Sequence, residues 1–278
     1  MLRFAALFAL ILGCGRFRFA DGTADAAEPP ADTGDPADTG APTDGAVDTP
    51  GAPIDGRLSY RDAVLADAPV GYWRMGDASS MVRDETGNHD GATTGSCTRG
   101  APGALTGDSD HALDLDGVNC KVTLGNFFAF PANAPYTVEA WASPRAIGNT
   151  MHIFTKQTRS GGGPVDGYAL LVTATGSRWE RTVATDNVTP LDIPIAPGMY
   201  SHLVGVYDGS ALVMYVDGIA GTPKPHPVAM TAFSAAVFIG ASADGKFFDG
   251  LIDEVAVYDK VLAADRIQLH HRIGVMGP

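Results

Sequence analysis

The sequence predicts an all-β fold: two antiparallel sheets packed as a sandwich, with a short helix at each end of the folded region. Three observations predict it. From Arg57 onward, short runs with strand alternation are separated by Gly, Pro, Asp and Asn, the rhythm of a sandwich or barrel. Only Leu58 to Leu65 and Leu262 to Ile273 have the length and the Ala, Leu, Arg and Gln content of helices. Finally, Leu251 to Tyr258 alternates between two faces, and both carry apolar residues. Such a strand belongs in the middle of a layered structure. Its acidic pair, Asp253 and Glu254, then needs a cation or backbone donors, because a buried unpaired carboxylate is costly.

The folded region starts late. Met1 to Arg3 is a short basic start, Phe4 to Leu12 is unbroken and apolar, and Gly13-Cys14 closes the run, so residues 1–14 read as a secretory signal. Nine apolar residues fall well short of the ~20 that cross a bilayer. Residues 15–57 form a different kind of sequence, dominated by Pro, Ala, Gly, Thr and Asp, and Ala-Asp-Thr-Gly occurs at 31–34 and again at 37–40. It lacks the apolar residues for a core and is predicted to be a disordered linker. Between Asp21 and Gly56 it holds nine acidic residues and no Lys or Arg. A flexible chain of that length spans about 35 Å, enough to hold a domain clear of a surface. The whole chain carries a formal charge of −13, which argues against nucleic acid or an anionic lipid surface as a partner.

Within the domain at 58–278, Ala68 to Met75 is a strand with two aromatics, and Arg83 to Gly91 is a tight polar turn. Ala112 to Asp116 is a strand ending in a turn at Gly117, and Tyr136 to Ala142 alternates cleanly. Ile153 to Lys156 and Tyr168 to Val172 flank the glycine run Gly161 to Gly163. Leu203 to Tyr207 and Leu212 to Val216 form the best hairpin, with Asp208-Gly209-Ser210 between them. Ala236 to Gly240 leads into the central strand. In an exported chain Cys97 and Cys120 are predicted to pair, closing a loop of about 24 residues and contributing roughly 3 kcal/mol. The alternative, two ligands of a metal site, lacks nearby third and fourth ligands.

Several stretches together carry a family resemblance. They are Val64 to Gly76 with Gly71-Tyr72-Trp73-Arg74, Tyr136 to Trp141, Ser201 to Val204 with Tyr207-Asp208-Gly209, and Asp249 to Val255 with Tyr258. In this order they resemble the laminin-G-like, concanavalin A-like jelly roll of bacterial exported proteins. The resemblance covers nearly all of residues 57–273. Ile11 to Cys14 likewise resembles the lipobox of bacterial lipoproteins, in which Cys14 would be lipidated. The fold resemblance implies one structural calcium ion beside the last strand, held by Asp84, Asn88 and Asp253 with carbonyls of the turn. Calcium favours six to eight such oxygens. His89 and Thr86 depart from the family's usual glycine and serine there. Alternatively Asp84 and Asn88 only cap the turn, and Asp253 accepts backbone donors.

Catalytic patterns are sparse. Asp114 and Asp116 have the alternate spacing of a retaining glycosidase's carboxylates, but no third carboxylate extends them, and Asp116-Gly117 reads as a turn. Asp253 and Glu254, being adjacent in a regular strand, are expected on opposite faces and not as a pair. Gly240 to Lys246 imitates a phosphate loop, but Phe247 replaces its Ser or Thr. His202 is expected to be structural, and His270 and His271 to lie on the terminal helix. Trp73 and Trp141 are expected in the core. Trp179, among Ser177, Arg178, Glu180 and Arg181, is the candidate for stacking on a ligand. The expectation is a monomeric, non-enzymatic module on a lipid-anchored tether at the bacterial outer membrane or cell surface, binding a glycan or a surface protein. A glycoside-active enzyme or a spacer without a ligand is the alternative.

Overall fold

A computed structural model describes residues 58–158, 165–184 and 186–277. The signal at 1–14 with Cys14, the linker at 15–57 and the glycine run at 161–163 lie outside the described residues. Helix α1 is Tyr60–Ala66, entered through Ser59, whose hydroxyl accepts from the Asp62 amide, and α2 is Ala264–Met276. Between them run β1 (Gly71–Trp73), β2 (Met81–Val82), β3 (Gly91–Thr94), β4 (Thr98–Pro102), β5 (His111–Asp116), β6 (Lys121–Gly125), β7 (Tyr136–Pro144) and β8 (Met151–Gln157). There follow β9 (Gly167–Thr173), β10 (Gly176–Val183), β11 (Asp186–Val188), β12 (Ser201–Tyr207), β13 (Ala211–Val216), β14 (Ile219–Ala220), β15 (Lys224–Pro225), β16 (Val237–Ile239) and β17 (Asp249–Tyr258). The predicted all-β jelly-roll sandwich with terminal helices is the observed fold.

The strands make two antiparallel sheets. The first runs β14-β13-β12-β7-β17-β5-β4, with β1 also on β17 and β15 also on β13; the second runs β11-β10-β9-β8-β16-β6-β3-β2. The expected hairpin is β12–β13, where Asp208 folds its carboxylate back onto the Ser210 and Ala211 amides. A second Asp-Gly turn, Asp217-Gly218 with φ of 50° and 76°, joins β13 to β14. Positive φ at both positions gives it the handedness that matches strand twist.

The main core fills the space between the sheets, with Trp73, Leu113, Val138, Phe154, Leu170 and Trp179 among its members. A smaller cluster lies outside the first sheet, where Trp141, Val204, Ala256 and Tyr258 pack under Tyr60 and Val64 of α1 and Ile267 of α2. Both ends of the domain therefore close over one face. Cys97 and Cys120 are joined as predicted, with Cα atoms 5.1 Å apart, tying the β3–β4 turn to the start of β6.

As expected, β17 is central. It pairs with β7 along one side, and its other side is shared, with Asp249–Ile252 on β5 and Val255–Val257 on β1. The residues left between those partners are Asp253 and Glu254. There the ladder to β7 slips by one residue, since Asp253 faces Trp141 but Ala256 faces Glu139, and Glu254 takes φ 49°. This is a β-bulge, and it re-aims side chains that regular pleating would send to opposite faces.

Candidate functional site

The bulge overturns the expectation that Asp253 and Glu254 cannot act together. Carboxylate oxygens of Asp110, Asp253 and Glu254 all lie within 4.8 Å of one another. Asp253 is 1% exposed; its Oδ2 accepts from the Ala104 amide (2.8 Å) and its Oδ1 from the Glu254 amide (3.0 Å). Glu254 is held by the Arg74 guanidinium (3.0 and 2.8 Å) and the Tyr72 hydroxyl. Arg74 also reaches Asp108 at 2.7 Å. Asp110 Oδ2 is buried and accepts no hydrogen bond, Arg74 Nε lying 3.5 Å away. Burial pushes Asp253 up to about 7, with the Ala104 amide pulling it down and the Asp110 charge adding to the rise. Burial, then the Asp253 charge, raises Glu254 well above the usual carboxylate range despite Arg74.

Asp84 and Asn88, two of the three expected metal ligands, are engaged within their own turn, the alternative considered for them above. Asp84 Oδ1 accepts from the Tyr72 (2.8 Å) and Thr86 (2.9 Å) amides, and Oδ2 from Thr86 Oγ1 (2.6 Å) and the His89 (2.9 Å) and Asn88 (3.3 Å) amides. With its oxygens so occupied, Asp84 pins the turn to β1; burial works against it, but these bonds hold its carboxyl below the usual range. The exposed Asn88 side chain donates to the Thr86 carbonyl (3.1 Å). Of the three predicted ligands, Asp253 alone belongs to the acidic cluster, and its partners there are Asp110 and Glu254. This set fits a hard cation in chemistry: three oxygen donors crowd together, one oxygen lacks a bond, and among the described residues Arg74 is the one basic side chain paired with them.

A second buried polar centre holds the helices down. Glu139 on β7 is 0% exposed and accepts from Tyr60 Oη (3.0 Å), Tyr258 Oη (2.8 Å), His202 Nε2 (2.7 Å) and His270 Nδ1 (3.0 Å). His270 also meets Asp67 (3.0 Å) beyond the end of α1. Burial opposes its charge, yet His270 and the His202 hydrogen bond keep Glu139 well below the usual range. This centre links α1, α2, β7, β12 and β17, so His202 is structural, as expected.

Among the described residues no helix packs on the outer face of the second sheet, although His152, Thr155, Ala169, Leu171 and Glu180 on that face are buried. Register places Thr123, Phe238, Thr155, Ala169 and Glu180 in one row across five strands, with His152, Leu171 and Arg178 in a neighbouring row. Small side chains floor the middle of the first row, with Phe238 and Glu180 rising at its sides. Glu180 accepts from Gln157 (2.7 Å), and Arg178 is forked onto Asp192 (2.7 and 2.8 Å). A cavity of about 220 Å³ lies over His152, Leu171, Arg178 and Glu180, bounded by Thr150 and Lys246. A larger one, about 520 Å³, opens between the β5–β6 turn, residues 146–151 and residues 245–249.

Trp179 does not take part, and the predicted stacking residue is corrected. It is 0% exposed, faces Tyr136 and Tyr168 in the core, and donates to the Val206 carbonyl (3.2 Å). Its polar neighbours Arg178 and Glu180 point the other way because successive strand residues alternate. Among the described residues Asp114 and Asp116 have structural tasks: Asp114 pairs with Arg145, and Asp116 accepts the Val118, Asn119 and Cys120 amides (each 2.9 Å).

No curated protein matches the sequence. Among solved structures, domain 4 of AbnA, a GH43 extracellular arabinanase from Geobacillus stearothermophilus, in complex with arabinotriose, has TM-score 0.57 at 19% identity, covering 73% of this chain and 98% of that one. The binding domain of botulinum neurotoxin serotype D has TM-score 0.57 at 11% identity, covering 76% and 52%. That of serotype G has TM-score 0.57 at 9% identity, covering 74% and 51%. The chain thus spans about half the length of these toxin domains. At such identities the likeness is one of fold. A family model, the concanavalin A-like lectin/glucanases superfamily, matches residues 116–268. The chain belongs to that superfamily.

Proposed function

We propose that this chain is a non-catalytic glycan-binding module, exported and held at the cell surface by lipid on Cys14 and by the acidic linker. The observation that carries the reading is the contrast between the two outer faces. The first sheet's is covered by α1 and α2 through apolar packing, while the second sheet's, which no helix covers among the described residues, buries polar side chains such as His152, Thr155 and Glu180 beside a cavity. Saccharides suit such a surface, since hydroxyls need paired donors and acceptors over a floor of small side chains. Hydrolysis is the lesser reading. Among the described residues Glu180 is the one carboxylate lining the 220 Å³ cavity and is bonded to Gln157, and the two lining the larger cavity are engaged, Asp116 by three amides and Asp249 by Arg145, whereas a glycosidase needs two carboxylates flanking the scissile bond. The arabinotriose complex of the arabinanase domain is consistent with a sugar ligand on this fold.

Asp110, Asp253 and Glu254 would hold a calcium ion, supplying oxygens and tying β17 to the segment after β4. The decisive experiment exposes the full chain to a polysaccharide and oligosaccharide panel, with calcium and with EDTA. Saturable binding without release of reducing ends is expected, weakened by Arg178→Ala. Released reducing ends would make it an enzyme, and no binding at all would leave a spacer. Fractionation of cells carrying Cys14→Ser tests the anchor: the expected result is loss from the membrane fraction.

A further inference from the structure

The two cavities have a common wall. Thr150 and Lys246 line both the 520 Å³ space at the loops and the 220 Å³ space over the second sheet. The smaller is below the roughly 300–1,000 Å³ of small-molecule sites and the larger falls inside that range. A ligand filling the larger one meets the sheet only by extending past the junction.

Lys246 is fixed there by its backbone. Its amide donates to Ser242 Oγ (3.0 Å), and its carbonyl accepts from the His152 amide (3.4 Å). Its side chain is exposed, and among the described residues no carboxylate pairs with its ammonium. Among the described residues the other Lys and Arg side chains beside the two cavities are already matched: Arg178 by Asp192, and Arg145 by Asp249 (2.6 Å) and Asp114. The acids of the lining are spent too, Asp116 on three amides, Asp249 on Arg145 and Glu180 on Gln157. Among the described residues the junction thus offers one ammonium, with three donors, that no carboxylate matches, beside a larger space lined mostly by neutral side chains and a smaller one whose other charges, Arg178 and Glu180, are engaged.

We propose that the two cavities form one trough for a linear acidic oligosaccharide, whose uronate carboxylate sits on Lys246 where the trough passes from the loops onto the sheet. This deepens and rests on the glycan-binding reading above. With a formal charge of −13, the chain gives such a ligand no long-range attraction, so recognition comes from this local contact and from chain length.

The test measures affinities of the full chain for galacturonate, trigalacturonate and arabinotriose by calorimetry, with wild type, Lys246→Gln and Lys246→Arg. Trigalacturonate should bind at least tenfold more tightly than either the monomer or arabinotriose. Lys246→Gln should weaken it about tenfold and leave arabinotriose within twofold, with Lys246→Arg restoring most of the loss. Equal binding of the acidic and neutral trimers, a monomer as good as its trimer, or a Lys246→Gln protein with unchanged affinity would each overturn the acidic-trough assignment while leaving glycan binding intact. Failure of these sugars and of the whole neutral panel to bind would overturn both.

Discussion

Asp253→Asn probes the acidic cluster most sharply. The substitution removes one charge from a place where burial and Asp110 have pushed the carboxyl from 3.8 up to about 7. A carboxyl whose folded value lies above its unfolded one stabilises the fold below about pH 4, and that contribution is lost as the pH rises through about 7. At about 1.4 kcal/mol per tenfold, the ionised wild-type side chain costs about 4 kcal/mol by pH 8. Asn cannot ionise, but it presents one oxygen where Asp presents two, so either the Ala104 or the Glu254 amide loses its acceptor, at about 1–2 kcal/mol. In EDTA the variant is therefore predicted to be less stable than wild type at pH 4 and more stable at pH 8, by about 2–3 kcal/mol there. Urea unfolding followed by fluorescence of the three buried tryptophans reads both. Calcium at about 100 times its Kd should stabilise wild type by about 2.7 kcal/mol and leave the variant nearly unchanged. A variant displaced by the same amount at both pH values would show that Asp253 is not a buried carboxyl with a raised pKa.

Other variants test the remaining framework. Glu139→Gln should destabilise by about 3–5 kcal/mol, because it strips the charge from a buried centre that pairs with His202 and His270; loss of helical circular dichroism before sheet signal on heating would show that α1 and α2 are what it pins. In wild type the Glu139 contribution, with its carboxyl held low, should be complete above about pH 4.5 and fade as the pH falls toward the depressed value. Gly205→Ala would drive a methyl into the Trp179 ring and should cost about 1–3 kcal/mol in chemical denaturation, with glycan affinity of the folded fraction unchanged. Replacing Cys97 and Cys120 with Ser should cost about 3 kcal/mol, seen as an earlier urea midpoint than that of the oxidised protein.

Where period and composition decide, the sequence was a sufficient guide. The two-residue alternation of Tyr136 to Ala142 and of Leu203 to Tyr207, and the two apolar faces of Leu251 to Tyr258, led directly to β7, β12 and a central β17. The bulge was not legible, because no glycine marks it: Glu254 itself takes the positive φ, set by β5 and β1 sharing one edge of β17. That single slip reversed the inference about Asp253 and Glu254. Asp110 went unnominated because it lies outside any strand, and its approach to β17 is a tertiary event. Trp179 was misjudged because polar neighbours in sequence are neighbours on the opposite face. The buried centre at Glu139 was not legible either, because its partners Tyr60 and His270 come from the two far ends of the domain.

The central claim is that ligand meets the second sheet and its loops, leaving the helix-covered face untouched. Amide hydrogen exchange of the full chain, with and without saturating trigalacturonate and arabinotriose, tests it directly. Slowed exchange is expected in residues 146–157, 169–182 and 242–249 for a sugar that binds. Protection confined to α1, α2 and the strands beneath them would contradict it.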